Sequence, residues 1–275
     1  MKSGSVSHRQ VLSSNQLKVL GLVFKFRFVS SELLAKYLGK DRSTIYERLS
    51  VLVKQRYLVK NYDGSYKLAG KPASYSLATK GIRTLLKSEW NLSRAGLRNM
   101  YRNATVTPEY IEHCLTVFSV FIALKQQYGD KFSIFSKNEL AGNEAFPKTK
   151  PDLYLQGKGT AARPHYMLDV FDNAADFMTR RKRLKALMDH EDSGEWEEGF
   201  GIFPSFLFVV ANDKIQPRFM KEVEYYYNRS YIDEDEIAAL VTTVDKLTMG
   251  SEDVKIWQIY ESDPDDEKPV VRSLQ

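Results

Sequence analysis

Residues 150–155, "KPDLYL", and residues 166–173, "YMLDVFDN", decide the fold of the second half of the chain. Each is a short run rich in aromatic and aliphatic residues, as strands are, and each carries one acid, Asp152 in the first and Asp169 in the second. A short connection joins them, so they read as neighbouring strands. Two acids so placed are either one site or two charges at strand edges. Working outward, "PEYIEHCLTVFSVFIALKQQYG" (108–129) predicts a long helix, apolar nearly all round and therefore buried. "KFSIFSKNEL" (131–140) predicts a strand, "AADFMTRRKRLKALMDH" (174–190) a helix with a basic patch, and "GEWEEGFG" (194–201) an acidic loop. "SFLFVVAND" (205–213) is the clearest buried strand, 214–229 and 233–248 read as helices, and "DVKIWQIYES" (253–262) as a last strand.

Charge divides the chain. Residues 1–88 hold 17 Lys and Arg against 4 Asp and Glu, a net of +13, whereas residues 108–275 carry a net of −10. A small unit at +13 is suited to displacing counterions from a phosphate backbone. The acidic half repels nucleic acid on average, so any contact there is local. With 275 residues, 43% of them hydrophobic and 27% charged, the chain has enough apolar material for a sizeable core. No apolar run is long enough to span a membrane, and the polar N-terminus lacks the apolar stretch of a signal peptide. The single cysteine, Cys114, lies in the apolar helix and forms no internal disulfide. It reads as a buried structural thiol, and a cytoplasmic setting is expected.

The first half reads as helix, helix, helix, hairpin, helix. "SSNQLKVLGLVFKFRF" (13–28) and "SSELLAKYL" (30–38) have apolar residues at helical spacing, and Gly39 closes the second helix. "DRSTIYERLSVLVKQRY" (41–57) is the third, with Ile45, Leu49, Leu52 and Val53 facing inward. β-like runs at 57–62 and 74–78, joined by a turn at Asp63-Gly64, make a wing, and the order is that of a winged helix-turn-helix. Rotation about the third helix sends Ser43, Tyr46, Glu47 and Lys54 outward, with Arg42 and Thr44 at its leading end and Arg48 on the same helix. That end enters the major groove in such units, where an arginine such as Arg42 bonds a guanine edge bidentately. Lys60, Lys67 and Lys71 in the wing suit phosphate or minor-groove contact.

The second half resembles the PD-(D/E)XK nuclease fold: helix, three strands, helix, strand, with "PD" on the second strand and an acid on the third. In active members the two acids hold Mg²⁺, and a lysine two positions after the second acid serves the attacking water. The resemblance places Asp152 and Asp169 at the acids and Phe171 at the lysine, so the motif is broken at its third member. Lys182, on the next helix, is the chemical substitute, and Glu112 a further metal ligand if the site is active. His113 and Cys114, adjacent on a helix, point ~100° apart and suggest no metal pair.

The ordered set of motifs resembles the replication-relaxation family of plasmid and mobile-element proteins. It runs from "SSNQLKVLGLVFKFRFVSSELLAKYLG" through "RLSVLVKQRYLVK", "PASYSLATKGIRTL" and "EHCLTVF" to "KPDLYL" and a basic helix. The resemblance implies an accessory of plasmid replication or conjugative DNA processing, acting on double-stranded DNA beside a relaxase or replication initiator. The resulting expectation is an α+β protein of two domains. Residues 1–88 form the winged helix-turn-helix and 89–107 a linker; 108–263 form a PD-(D/E)XK-like α/β domain with a mixed central sheet, and 264–275 an acidic disordered tail. Its second domain serves as a platform for homodimerisation or partner docking, without cofactor. The alternatives are a Mg²⁺-dependent nuclease using Asp152, Asp169 and Lys182, and a transcriptional repressor.

Overall fold

The computed structural model describes residues 12–274, apart from 63, 69, 89, 91, 160–163, 174, 231, 235, 250–254 and 262–269. Helix α1 (Ser14–Phe26) opens with a capping box: the Ser13 hydroxyl accepts from the Gln16 N–H and the Gln16 side chain accepts from the Ser13 N–H. Strand β1 (Val29–Ser30) leads into α2 (Ser31–Leu38), which ends at Gly39 with φ +59°, the left-handed conformation that glycine adopts without penalty. Helix α3 (Arg42–Lys54) follows, burying Ile45, Leu49 and Leu52. Strands β2 (Leu58–Asn61) and β3 (Ser74–Leu77) pair antiparallel, Asn61 opposite Ser74, and β1 adds to the other edge of β3. The connection at 62–73 is too long for a two-residue turn. It forms the short helix α4 (Gly64–Leu68) where a turn at Asp63-Gly64 was expected, and Asp63 lies outside the described residues. Helix α5 (Thr79–Leu86) closes this part.

Residues 89–107, expected as a linker, contain α6 (Arg94–Asn99) and a 3-10 turn at 100–105. Leu97 and Met100 are buried. Gly96 approaches the second half so closely that a Cβ there would lie 2.2 Å from the Asn138 carbonyl oxygen. The segment is packed rather than free, because Leu97 and Met100 point into the interior, although Trp90 and Tyr101 remain exposed.

Helix α7 (Pro108–Tyr128) leads into a seven-stranded mixed sheet. Strands β4 (Phe132–Ser136), β5 (Leu153–Gly157) and β6 (His165–Phe171) form an antiparallel meander. Helices α8 (Phe177–Glu191) and α9 (Glu195–Phe200) then cross to β7 (Ser205–Val210), which runs parallel to β6. After α10 (Gln216–Tyr227) comes β8 (Ala239–Thr243), parallel to β7, then α11 (Val244–Thr248), β9 (Trp257–Ile259) and β10 (Val271–Arg272).

Three expectations change. The stretch 233–248, read as helix, contains β8: its "ALVTT" run is wholly buried between β7 and β9, where β-branched side chains pack well. The expected acidic loop contains α9, whose Trp196 is buried. The expected disordered tail lies partly outside the described residues, but Val271–Arg272 pairs with β9 and Leu274 is buried.

Alternation along the strands sends one set of side chains to each face. Leu153, Leu155, Leu168, Val170, Leu207 and Val209 pack toward α7, and Tyr154, Met167, Phe171, Phe206 and Phe208 toward α8 and α10. The core on the α7 side continues into the first half. Phe26 stacks on Phe118 with ring centroids 4.2 Å apart, Lys25 pairs with Glu139 at 3.0 Å, and the Asn138 amide donates to the Phe24 and Lys25 carbonyls. Among the described residues, no helix is long and apolar enough to cross a membrane.

Candidate functional site

The register of β5 and β6 creates the first candidate site. Leu153 pairs with Leu168, so the next position outward sets Asp152 opposite Asp169. Each acid accepts from the other strand's backbone: Val170 N–H donates to Asp152 Oδ2 at 3.0 Å, and Asp152 N–H donates to Asp169 Oδ1 at 3.1 Å. Both carboxylates are 2% exposed. Like charges directly opposed in a sheet destabilise it, and burial enlarges the cost.

The neutralising charge comes from α8, and it is Arg183. Its Nε donates to Asp169 Oδ2 at 3.1 Å, its Nη2 donates to Asp169 Oδ1, and the same nitrogen lies 3.3 Å from Asp152 Oδ1. Its guanidinium lies over the Phe171 ring, 5.9 Å from the centroid. Phe171 itself is buried against Phe208 and Phe219. A cation thus stands over Phe171, the position at which the nuclease resemblance would expect a lysine, supplied from a different element.

Two more cations complete the cluster. His113 on α7 lies between two acids, with Nε2 3.4 Å from Asp152 Oδ1 and Nδ1 3.1 Å from Asp172 Oδ2. Lys137 Nζ lies 3.7 Å from Asp152 Oδ1. Burial alone would raise the Asp152 pKa, but Arg183, His113 and Lys137 outweigh it and hold the carboxyl well below the usual range. Burial pushes Asp169 up; Arg183 opposes this and the Asp152 charge adds to it. For His113, burial acts to lower the pKa, yet Asp152 and Asp172 prevail and raise it to about 9. Burial raises the Cys114 thiol to about 12, in keeping with an inert structural role.

The expected substitutes stand elsewhere. Lys182 is exposed and does not join the acids. Two residues before the buried Leu184, it is rotated ~200° about the helix, to the far side. That rotation was present in the sequence and would have favoured Arg183. Glu112 is half-exposed and pairs with Lys71 of the first half, away from the acids. Nothing local marked His113 or Lys137, since both reach the acids only through tertiary packing.

These residues do not fit a magnesium ion. All four oxygens of Asp152 and Asp169 already have partners, and the guanidinium bridges the pair where a cation would sit. Among the described residues, no group of three or more His, Cys, Asp or Glu side chains is placed to hold a metal.

The second candidate site is a concave face on the first half, of about 700 Å³. Arg42, Ser43 and Tyr46 line it from the leading turns of α3, Lys60 and Tyr62 from β2 and the residue after it, and Lys71 from the approach to β3. Lys60 Nζ lies 5.6 Å and 5.2 Å from the Tyr46 and Tyr62 ring centroids. Ser43, Thr44, Glu47, Lys54 and Lys67 are exposed and Arg48 is half-buried. Arg42 pairs with Glu32 at 2.5 Å, both largely solvent-exposed. The structure thus brings Arg42, Ser43, Tyr46, Lys60 and Lys71 to one surface; Glu32, which the sequence reading did not single out, stands beside them.

No protein-family model matches the chain. No curated protein matches it either. Among solved structures it is similar to one described as the structure of restriction endonuclease FokI, at 15% identity and a TM-score of 0.29, over 86% of this chain and 42% of that one. The chain therefore spans less than half the length of that protein, and a score of this size assigns no fold.

Proposed function

We propose that this chain is a duplex DNA-binding protein whose first 88 residues are a winged helix-turn-helix and whose second half is a nuclease-like core without cleavage. The observation that carries the reading is the concave face at the leading end of α3, where Arg42, Ser43, Tyr46, Lys60 and Lys71 converge within a segment of net charge +13. In this reading α3 enters the major groove, Arg42 and Ser43 meet base edges, and Lys60 and Lys71 meet phosphates. The element order of the second half, with its meander, crossover helix and parallel strand, supports the nuclease-like assignment. The Arg183 bridge supports loss of the metal chemistry. The motif order that resembles the replication-relaxation family favours a site at a plasmid or mobile-element origin, with a homodimer acting beside a relaxase or initiator.

Selection of bound sequences from a random duplex pool, at stated salt and with and without Mg²⁺, tests this. The expected result is a defined, two-fold related site, recovered uncut under both conditions. Recovery of no preferred sequence would remove the specific reading. Mg²⁺-dependent nicking of supercoiled plasmid, lost in Asp152→Ala, would restore the nuclease alternative.

A further inference from the structure

The exposed face formed by α8 and α10 belongs neither to the concave face on α3 nor to the buried acid cluster. Phe177, at the start of α8, is 40% exposed, as is Tyr225 on α10. Arginines flank both rings. The Arg181 guanidinium lies 5.4 Å from the Phe177 centroid and 5.7 Å from that of Tyr225, Arg218 lies 5.6 Å from Phe177, and Arg229 lies 4.3 Å from Tyr225. Arg218, Lys221 and Tyr225 recur at spacings of three and four, so one face of α10 carries all three, and Arg229 follows just past the helix end. Phe177, Arg181, Arg218, Lys221 and Tyr225 line a cleft of about 340 Å³, and Arg229 stands beside it over the Tyr225 ring.

The cleft is held rigid from beneath. Arg180 on α8 pairs with Glu222 on α10, Nη2 to Oε1 at 2.9 Å and Nε to Oε2 at 3.2 Å, with both side chains nearly buried. This bidentate pair occupies the one acid that lines the cleft and leaves the outer cations facing solvent. The result is a locally basic, aromatic-bearing surface on the half of the chain whose net charge is −10.

We propose that this cleft binds single-stranded nucleic acid, with bases stacking on Phe177 and Tyr225 and phosphates meeting Arg181, Arg218, Lys221 and Arg229. Exposed rings between cations match an unstacked base on a charged backbone, because every base offers a π-face and every linkage an anion. A continuous duplex keeps its bases stacked and presents no such face. The proposal stands apart from the duplex reading, since no residue is shared with the face on α3.

The test uses the full chain and a fluorescein-labelled oligothymidylate, followed by anisotropy with excess unlabelled duplex to occupy the first half. The expected result is binding that survives the competitor and weakens about tenfold in Phe177→Leu/Tyr225→Leu, with duplex affinity unchanged. Arg181→Gln/Arg218→Gln should flatten its salt dependence. These substitutions alter exposed or half-exposed side chains, and an unchanged circular dichroism spectrum verifies folding. Absence of oligonucleotide binding, or binding indifferent to loss of both rings, overturns the proposal. So does light scattering in which the same variants convert a dimer to a monomer at unaltered oligonucleotide affinity, which would make the cleft a contact between copies of the chain.

Discussion

At the scale of single residues, Arg183 carries the most consequence. Removing it leaves Asp169 without its ion-pair partner while it still faces the buried Asp152 carboxylate, so Arg183→Met should cost about 3–5 kcal/mol in urea denaturation. Exchanging Asp152, Asp169 and Arg183 together for apolar residues of similar volume should restore most of that loss, because the cost lies in the uncompensated charge. His113 adds a pH dependence. Its pKa rises from 6.5 to about 9 on folding, so protonated His113 stabilises the native state fully below pH 6.5, and that contribution is lost as pH rises through 9. The effect is on the order of 3 kcal/mol. Wild type should lose about that much stability relative to His113→Gln between pH 6 and pH 10, measured by denaturant titration. Asp152 acts in the opposite sense. With its pKa depressed, its contribution is present at neutral pH and is lost as pH falls through the native value.

At the scale of elements, α3 and its neighbours decide how the basic face works. The Arg42–Glu32 pair ties the leading end of α3 to α2, and exposed pairs of this kind contribute at most about 1 kcal/mol. In the proposed complex DNA can therefore displace it. Arg42→Ala should weaken binding to a selected site by about 1–3 kcal/mol and relax its sequence preference, as read by gel shift. Glu32→Gln should strengthen binding, since it releases Arg42 and removes an anion from the groove. A null effect of both would move the contact surface elsewhere. The helices themselves were legible because their signals are local: the apolar spacing of 13–28, Gly39 at the end of α2, and the inward spacing of Ile45, Leu49 and Leu52. Strand β8 was not, because "AALVTT" fits a buried helix or a buried strand equally until its neighbours are known.

At the scale of the whole molecule, the two halves share one interior. Phe26 from α1 and Phe118 from α7 stack within it, and Lys25, Asn138 and Gly96 make close approaches between the halves. A chain so joined should unfold in one calorimetric transition rather than two. Phe118→Ala should cost about 3–5 kcal/mol and lower the midpoint for both halves together. Two separated transitions, with only one shifted, would show that the shared core contributes little to cooperativity.

The sequence alone determined what depends on near neighbours: the charge division, the periodic helices of the first half, and the strands that Asp152 immediately precedes and Asp169 sits in. The resemblance to the PD-(D/E)XK fold marked Phe171 as the position that lacks the expected lysine. Tertiary structure alone decided what answers the break. Arg183 meets the acids because α8 crosses the sheet at one particular rotation, and His113 meets them because α7 docks beside the ends of β5 and β6. The energy of such contacts depends on burial, and burial belongs to the assembled fold rather than to any segment of it.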